Sequence, residues 1–505
     1  MTLPAKPRRV PRVTLAQPKV VFTLPDYWAL VPLLNPRYCI GPMEQSASQS
    51  LRAHAGATLS LGLPLIGSNL AQMALHVTDT VMLGWYSVTA LAAGVLGASS
   101  FFVIFILGSG FAQAVMPMVA TALGRGDEAQ VRRDARMGLW LSIAFGVLCY
   151  PLFWWSRPIM LALGQHEEVA QLTQDFLRIA GLGMVPALLV MSLKSYLAAL
   201  GRTQAMLWAT IAAVGLNILV NWALIFGHWG FPELGVRGAA CASVGSQLLT
   251  VLVLAIYAAW LPELRRFHLF QRFWRADPAA LRQVFRLGLP IGLTGLAESG
   301  LFEASALMMG WIGTKELAAH GIAIQVTALA FMVHLGLSSA ATVRVGRANG
   351  AGDVRGLHDA ARIAVALSMG FGLSMVALFL LWPHPLIAVF LDRANPDSEA
   401  IIAIGVTLLI MAAMFQMADA AQVMALGLLR GIKDTRGPMV IAAISYWLIG
   451  IPASYVLAFP LGYGAAGLWL GLVIGLTCAA VLLMVRFWRR APRIEESRNQ
   501  SVASF

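Results

Sequence analysis

Apolar runs of 18 to 30 residues, rich in Leu, Ala, Val, Ile, Gly and Met, recur along the chain, and short polar stretches separate them. Crossing ~30 Å of hydrocarbon takes a helix of about 20 residues. In lipid every backbone amide must be paired internally, so the spans are helices or strands of a closed barrel. Barrel strands would be ~9–11 residues long with alternating polarity, and these runs are longer and lack the alternation. The pattern predicts an all-α polytopic membrane protein. Its twelve transmembrane helices fall near 60–83, 95–123, 137–156, 173–200, 206–228, 236–260, 284–311, 317–346, 360–382, 400–429, 437–460 and 464–485.

The two halves repeat each other. A shift of 226 residues superposes them without a gap from Leu61 to Arg136. LGLP at Leu61–Pro64 meets LGLP at Leu287–Pro290, Met82, Gly84 and Trp85 meet Met308, Gly310 and Trp311, and Gly126–Asp127 meets Gly352–Asp353. Each unit holds six spans, an even number, so both enter the membrane from the same side. They are parallel repeats, related by an axis along the membrane normal, an arrangement suited to two bundles rocking about a central path. The expected divisions are a basic, disordered cytoplasmic arm at 1–57, a six-helix lobe at 58–262, a linker at 263–283, a second lobe at 284–486 and a basic tail at 487–505.

Composition agrees with this reading. Hydrophobic residues make up 58% of 505 positions and charged residues 12%, about half the charged share of a soluble chain. When Lys and Arg are assigned to alternate sides of the twelve spans, 31 fall on the side of the termini and 5 on the other. That bias predicts that both termini are cytoplasmic. The arm carries eight prolines and no spanning stretch, so it is neither a signal peptide nor a span. Met43 offers an alternative start. The four cysteines form no CxxC pair, and neither zinc-binding spacing nor a phosphate-cradling GxxxxGK[ST] loop occurs. A soluble-type enzyme, a primary ATPase and a nucleic-acid binder are not expected, and the chain calls for no cofactor and no obligatory protein partner.

Four acids fall inside spans, namely Asp79, Glu298, Glu303 and Asp419. An unpaired carboxylate at mid-membrane costs ~2.5–3.5 kcal/mol or more, so each needs a partner, a proton or a cation. The repeats diverge here, because Asp79 faces Ser305 while Glu298 and Glu303 face Gln72 and Val77. Gln416, Asp419 and Gln422 share a stripe of the tenth span at spacing three. Asn217 and Asn221, one turn apart in the fifth span, suit either helix packing or substrate contact, and His320 and His334 are imidazoles of the kind that titrate near neutral pH.

The stretches LGLP…VTDTVMLGW, LAALGRTQ, GFPELGVRGAA, ELAAHGIAIQ, RVGRANGAGD and FQMADAAQVMALGLLRGIKDTR, in this order and duplicated, make residues 57–485 similar to the multidrug and toxic compound extrusion family, in its bacterial NorM-like branch. The resemblance implies a secondary exporter of the bacterial inner membrane, antiporting amphipathic organic cations against Na⁺ or H⁺. It assigns coupling to Asp79, Glu298 and Asp419, with Glu303 as an addition and Na⁺ at Glu298 and Asp419. Gln72, Asn217, Asn221, Gln325, Gln416 and Gln422 then line the substrate cavity, and membrane lipid and small organic cations are the partners. The family's AAHQVA run reads here as AAHGIA, with Gly321 in place of glutamine. A flippase for a lipid-linked or other amphipathic metabolite is the alternative on such a scaffold. It would need a more basic central cleft.

Overall fold

The computed structural model describes residues 51–391 and 396–491. Residues 1–50 of the arm, Arg393 and residues 492–505 of the tail lie outside that range. The described residues contain no strand. Twelve long helical elements account for most of them. The first six are α1 (Leu51–Tyr86), α2 (Val88–Gly124), α3 (Glu128–Trp154), α4 (Glu167–Ala199), α5 (Thr203–Phe226) and α6 (Val236–Trp260). The second six are α7 (Pro278–Ile312), α8 (Thr314–Ala351), α9 (Val354–Leu381), α10 (Ser398–Gly431), α11 (Arg436–Ala458) and α12 (Gly464–Arg490).

Ten of the twelve are apolar enough to cross a bilayer on length and composition alone, and α1 and α7 are not among them. These two are counterparts under the repeat, and they carry Asp79 and the pair Glu298 and Glu303. Helix α1 starts at Leu51, inside the segment expected to be a disordered arm. Arg344 explains the extension, since its guanidinium donates to the His54 carbonyl at 2.7 Å and to the Thr58 hydroxyl. Helix α12 likewise runs past its predicted end to Arg490, where Arg486 and Arg490 both pair with Asp434.

The repeated Gly-Asp has a local cause. Gly126 and Gly352 take φ of +73° and +72°, the left-handed conformation that suits a glycine after a helix end. The aspartate that follows caps the next helix, with Asp127 accepting from the Gln130 amide and Asp353 from the Gly356 amide. Both hairpins therefore turn in the same way.

Within the first half α1 packs on α5, α5 on α6, and α2 on α3 and α4; within the second, α10 packs on α8, α9 and α12. The halves meet through α2 against α7 and α8, and through α1 against α8. Glycines bring these backbones together, as is usual where helices associate without a hydrophobic drive. A Cβ on Gly110 would lie 2.3 Å from the Gly292 nitrogen. One on Gly124 would lie 2.1 Å from the Arg347 carbonyl oxygen, and one on Gly350 2.1 Å from the Thr121 carbonyl oxygen. The last two contacts exchange under the 226-residue shift, so a two-fold relation passes between α2 and α8.

All these contacts lie in the helix halves nearest Leu51 and Arg490. So do the Arg430 bond to the Gln113 side chain at 3.1 Å and the Arg133–Asp277 ion pair, while Asn69 donates to the Met332 carbonyl at 3.4 Å at the middle of α1 and α8. Among the described residues, no hydrogen bond joins the lobes beyond that midpoint. The tightest interlobe contacts are thus concentrated on the side of Leu51 and Arg490.

Candidate functional site

Each lobe holds a polar centre, and the two differ. In the first lobe Asp79, half-buried on α1, accepts three side-chain hydrogen bonds. Asn217 and Asn221 from α5 donate to Oδ1 at 3.1 and 2.6 Å, and Ser243 from α6 donates to Oδ2 at 2.6 Å. Asn221 also donates to Asn217 Oδ1 at 3.1 Å. Both asparagines are fully buried. The one-turn spacing expected to share a face does so, and the face is turned to Asp79. Charge-assisted bonds of this kind make a carboxylate tolerable in a dry setting.

In the second lobe the acids are less well served. Glu298 on α7 accepts from Gln422 Nε2 at 3.3 Å, and the same Nε2 donates to the Tyr446 hydroxyl at 2.6 Å. Asp419 is 2% exposed, interacts electrostatically with Glu298, and its Oδ1 has no hydrogen-bond donor. The side-chain oxygens of Gln416 and Gln422 are also buried without a donor. The stripe of α10 predicted from spacing thus presents three unpartnered acceptor oxygens. Arg430, farther along α10, interacts with Glu298 and reaches Gln113 of the other lobe.

Tyr446 lies in a π-helical stretch of α11, Ile444–Gly450. Pro452 follows it and withholds an amide donor from the ladder, a common setting for a local change of register. Gln416 is tied by Nε2 to His334 Nε2 at 2.7 Å, and His334 Nδ1 meets the Ser368 hydroxyl at 2.8 Å. At the place corresponding to Asp79, Ser305 faces His320 Nε2 at 3.5 Å, and Trp469, the counterpart of Ser243, donates to His320 Nδ1 at 3.1 Å. The second lobe has replaced the first lobe's acid site with a neutral triad.

The structure therefore gathers Asp79, Asn217 and Asn221 in one lobe, and Glu298, Asp419, Gln416 and Gln422 in the other. Glu303 stands apart, exposed on α7, and Gln72 and Gln325 are half-buried; none of the three has a hydrogen-bond partner among the described residues. Four residues of these centres were not singled out from sequence: Ser243, Tyr446, Ser368 and Trp469. None carries a formal charge that would mark it inside an apolar span. Lys194, assigned to the basic edge, instead lies within the first lobe and donates to the Ser68 hydroxyl at 3.1 Å. Among the described residues no group of three or more His, Cys, Asp and Glu side chains is arranged to hold a metal. A cation here would rest on carboxylate and amide oxygens, a donor set suited to hard ions.

Comparison with known proteins agrees with this architecture. The MatE family matches the chain twice, over residues 64–223 and 290–456, and the two matches begin 226 residues apart. A probable multidrug resistance protein NorM from Rhizobium meliloti (strain 1021) is 47% identical over 448 residues, which is 89% of this chain and 96% of that one. A probable NorM of Agrobacterium fabrum (strain C58) is 46% identical over 442 residues, 88% of this chain and 95% of that one. Among solved structures, MATE in complex with MaL6 superposes with a TM-score of 0.80 at 22% identity, covering 89% of this chain and 100% of that one. An outward-facing multidrug resistance MATE family transporter of the MOP superfamily superposes with a TM-score of 0.77 at 21% identity, covering 89% and 99%. Two matched repeats, full-length relatives and a shared fold lead to one conclusion: the chain belongs to the MatE family of membrane transporters.

Proposed function

We propose that the chain is a multidrug exporter that antiports amphipathic organic cations against Na⁺ or H⁺, with both termini in the cytoplasm. Support for efflux comes from the relatives' names, which are those of multidrug resistance proteins. The observation that carries the coupling mechanism is the set of buried oxygens without donors on α10, at Gln416, Asp419 and Gln422, beside Glu298. Buried acceptors without donors are costly, and an incoming cation or proton removes that cost. The second lobe is accordingly the coupling centre. Asp79 keeps a supporting part, because its carboxylate is already satisfied by Asn217, Asn221 and Ser243.

The cycle is one of alternating access between the two lobes. In the outward-facing state a coupling cation from outside reaches Glu298 and Asp419 and displaces the organic cation. Neutralising the acids favours the opposite state, in which an organic cation enters from the cytoplasm or inner leaflet and releases the coupling ion. Exchange requires only that the two ligands differ in their affinities for the two states. Glu303, Gln72 and Gln325, with side chains free of partners, belong to the substrate path.

The test is efflux of a fluorescent cation from proteoliposomes under separately imposed Na⁺ and proton gradients. Glu298→Gln and Asp419→Asn are expected to lower gradient-driven efflux by about tenfold or more at equal protein level. Unchanged efflux in both variants would remove the assignment.

A further inference from the structure

On the side of Leu51 and Arg490, the turn between α10 and α11 and the ends of α7, α11 and α12 border an open cavity of about 290 Å³. Its lining holds five basic residues, Arg286, Lys433, Arg436, Arg486 and Arg490, against one acid, Asp434. Asp434 is engaged by Arg486 at 2.6 Å and by Arg490 at 2.9 Å. Arg286, Lys433 and Arg436 form no salt bridge among the described residues; the acid that acts electrostatically on Lys433 is Asp134. The cavity therefore has a surplus of cations at the membrane edge.

The first lobe shows that this surplus is not dictated by the fold. The turn after α4 and the turn after α10 share a hydrogen-bond pattern. Gly201 and Arg202 donate to the Ala198 and Leu197 carbonyls, and Lys433 and Asp434 donate to those of Arg430 and Leu429. The left-handed position is a glycine in the first lobe, with φ of +79°, but Lys433 in the second, with φ of +61°. The lysine thus stands in a conformation that glycine would hold at less cost. The first-lobe turn is also neutralised and covered: Arg202 pairs with Glu263, and Phe267 and Leu269 of the linker are buried nearby in that lobe's core.

Deeper along the same helices, beyond the cavity, the exposed surface turns aliphatic. One and two turns deeper than Arg436 on its stripe of α11 stand Val440 and Ile444, 50% and 42% exposed. One turn deeper than Arg486 on α12 stands Leu482, 44% exposed, and the stripe of Arg286 on α7 continues through Leu289 to Leu293. A free phosphate would match only the rim of such a site. A molecule with an anionic head and acyl chains matches all of it. We propose that this cavity is a binding site for the phosphate-bearing headgroup of an anionic phospholipid, whose chains run along Val440, Ile444 and Leu482. Juxtamembrane cations each strengthen attraction to anionic lipid several-fold.

The test uses the delipidated full-length chain in detergent, titrated with phosphatidylglycerol, phosphatidylcholine or inorganic phosphate and read by native mass spectrometry. Wild type is expected to prefer phosphatidylglycerol over phosphatidylcholine by roughly a hundredfold for three unpaired cations. The triple variant Arg286→Gln, Lys433→Gln, Arg436→Gln is expected to lose that preference. Arg157→Gln, on the opposite side of the membrane, is expected to keep it. Val440→Trp fills the aliphatic slot with every charge in place, and is expected to weaken phosphatidylglycerol binding without changing phosphate binding. Equal binding of the two lipids to wild type, or a preference that survives the triple variant, would overturn the proposal. Phosphate that displaces the lipid at equal concentration, with Val440→Trp inert, would overturn it too and leave a free-phosphate site.

Discussion

The two lobes share a backbone plan and part company at their polar centres. In the first, Asp79 is ringed by donors from α5 and α6. In the second, the corresponding place is held by Ser305, His320 and Trp469, while the acids have moved to Glu298 on α7 and Asp419 on α10. The first arrangement satisfies its own charge. The second leaves buried oxygens of Gln416, Asp419 and Gln422 without donors, where the first leaves only that of the Asn221 amide. Duplication thus supplied two equal scaffolds, and the proposed function places cation exchange in the one where Asp419 Oδ1 is buried without a donor.

Substitutions at three positions sharpen this contrast. The largest effect is expected from Ser305→Asp, which grafts the first lobe's acid onto the second. Ser305 is fully buried, and no asparagine pair faces it. The variant should lose about 2.5–3.5 kcal/mol or more, read as thermal stability in detergent, whereas Ser305→Ala should be mild. A smaller loss, about 0.6–1.7 kcal/mol, is expected from Asn221→Ala, which removes the shortest bond to Asp79. Gln422→Ala should cost less stability than that and should alter coupling-ion binding instead. Equal stability losses in these two variants would contradict the contrast between the lobes.

The smallest effect concerns the polar link between lobes outside the bilayer. Hydrogen bonding from Arg133 holds the Asp277 carboxyl below its ordinary value. A depressed carboxylate contributes stability above its unfolded pKa of about 3.9 and loses it as pH falls through the lower folded value. The contribution should be intact at neutral pH and fade below about pH 4. Both partners reach solvent, so water and salt keep the effect small. Melting curves of wild type and Asp277→Asn should converge in that acid range, and curves that stay apart would show that the ion pair is not what separates them.

Much of this architecture is legible in the chain because lipid imposes simple rules. Runs of spanning length gave twelve elements, and the shift aligning LGLP with LGLP gave the repeat. The Gly-Asp pair marked both turns because a left-handed glycine and an aspartate cap act locally. The charged members of the polar centres were also legible, since Asp79, Glu298 and Asp419 stand out against apolar surroundings. Their partners were not. Ser243 looks like any small residue packed between helices, and Tyr446 like any aromatic in a span. Whether Asn217 and Asn221 face a cavity or a carboxylate depends on how α5 is rotated against α1, a tertiary fact that periodicity within one helix does not contain. Lys194 near a span's end read as part of the basic edge for the same reason.

The most direct measurement is a count of the ions displaced when an organic cation binds. Tetraphenylphosphonium would be titrated into purified wild type, Asp79→Asn and Asp419→Asn, with released Na⁺ and H⁺ monitored together. Release of a coupling ion from wild type and from Asp79→Asn, with none from Asp419→Asn, is the predicted result. If release vanished in Asp79→Asn and persisted in Asp419→Asn, the exchange centre would lie in the first lobe, and the unsatisfied oxygens of α10 would have no part in coupling.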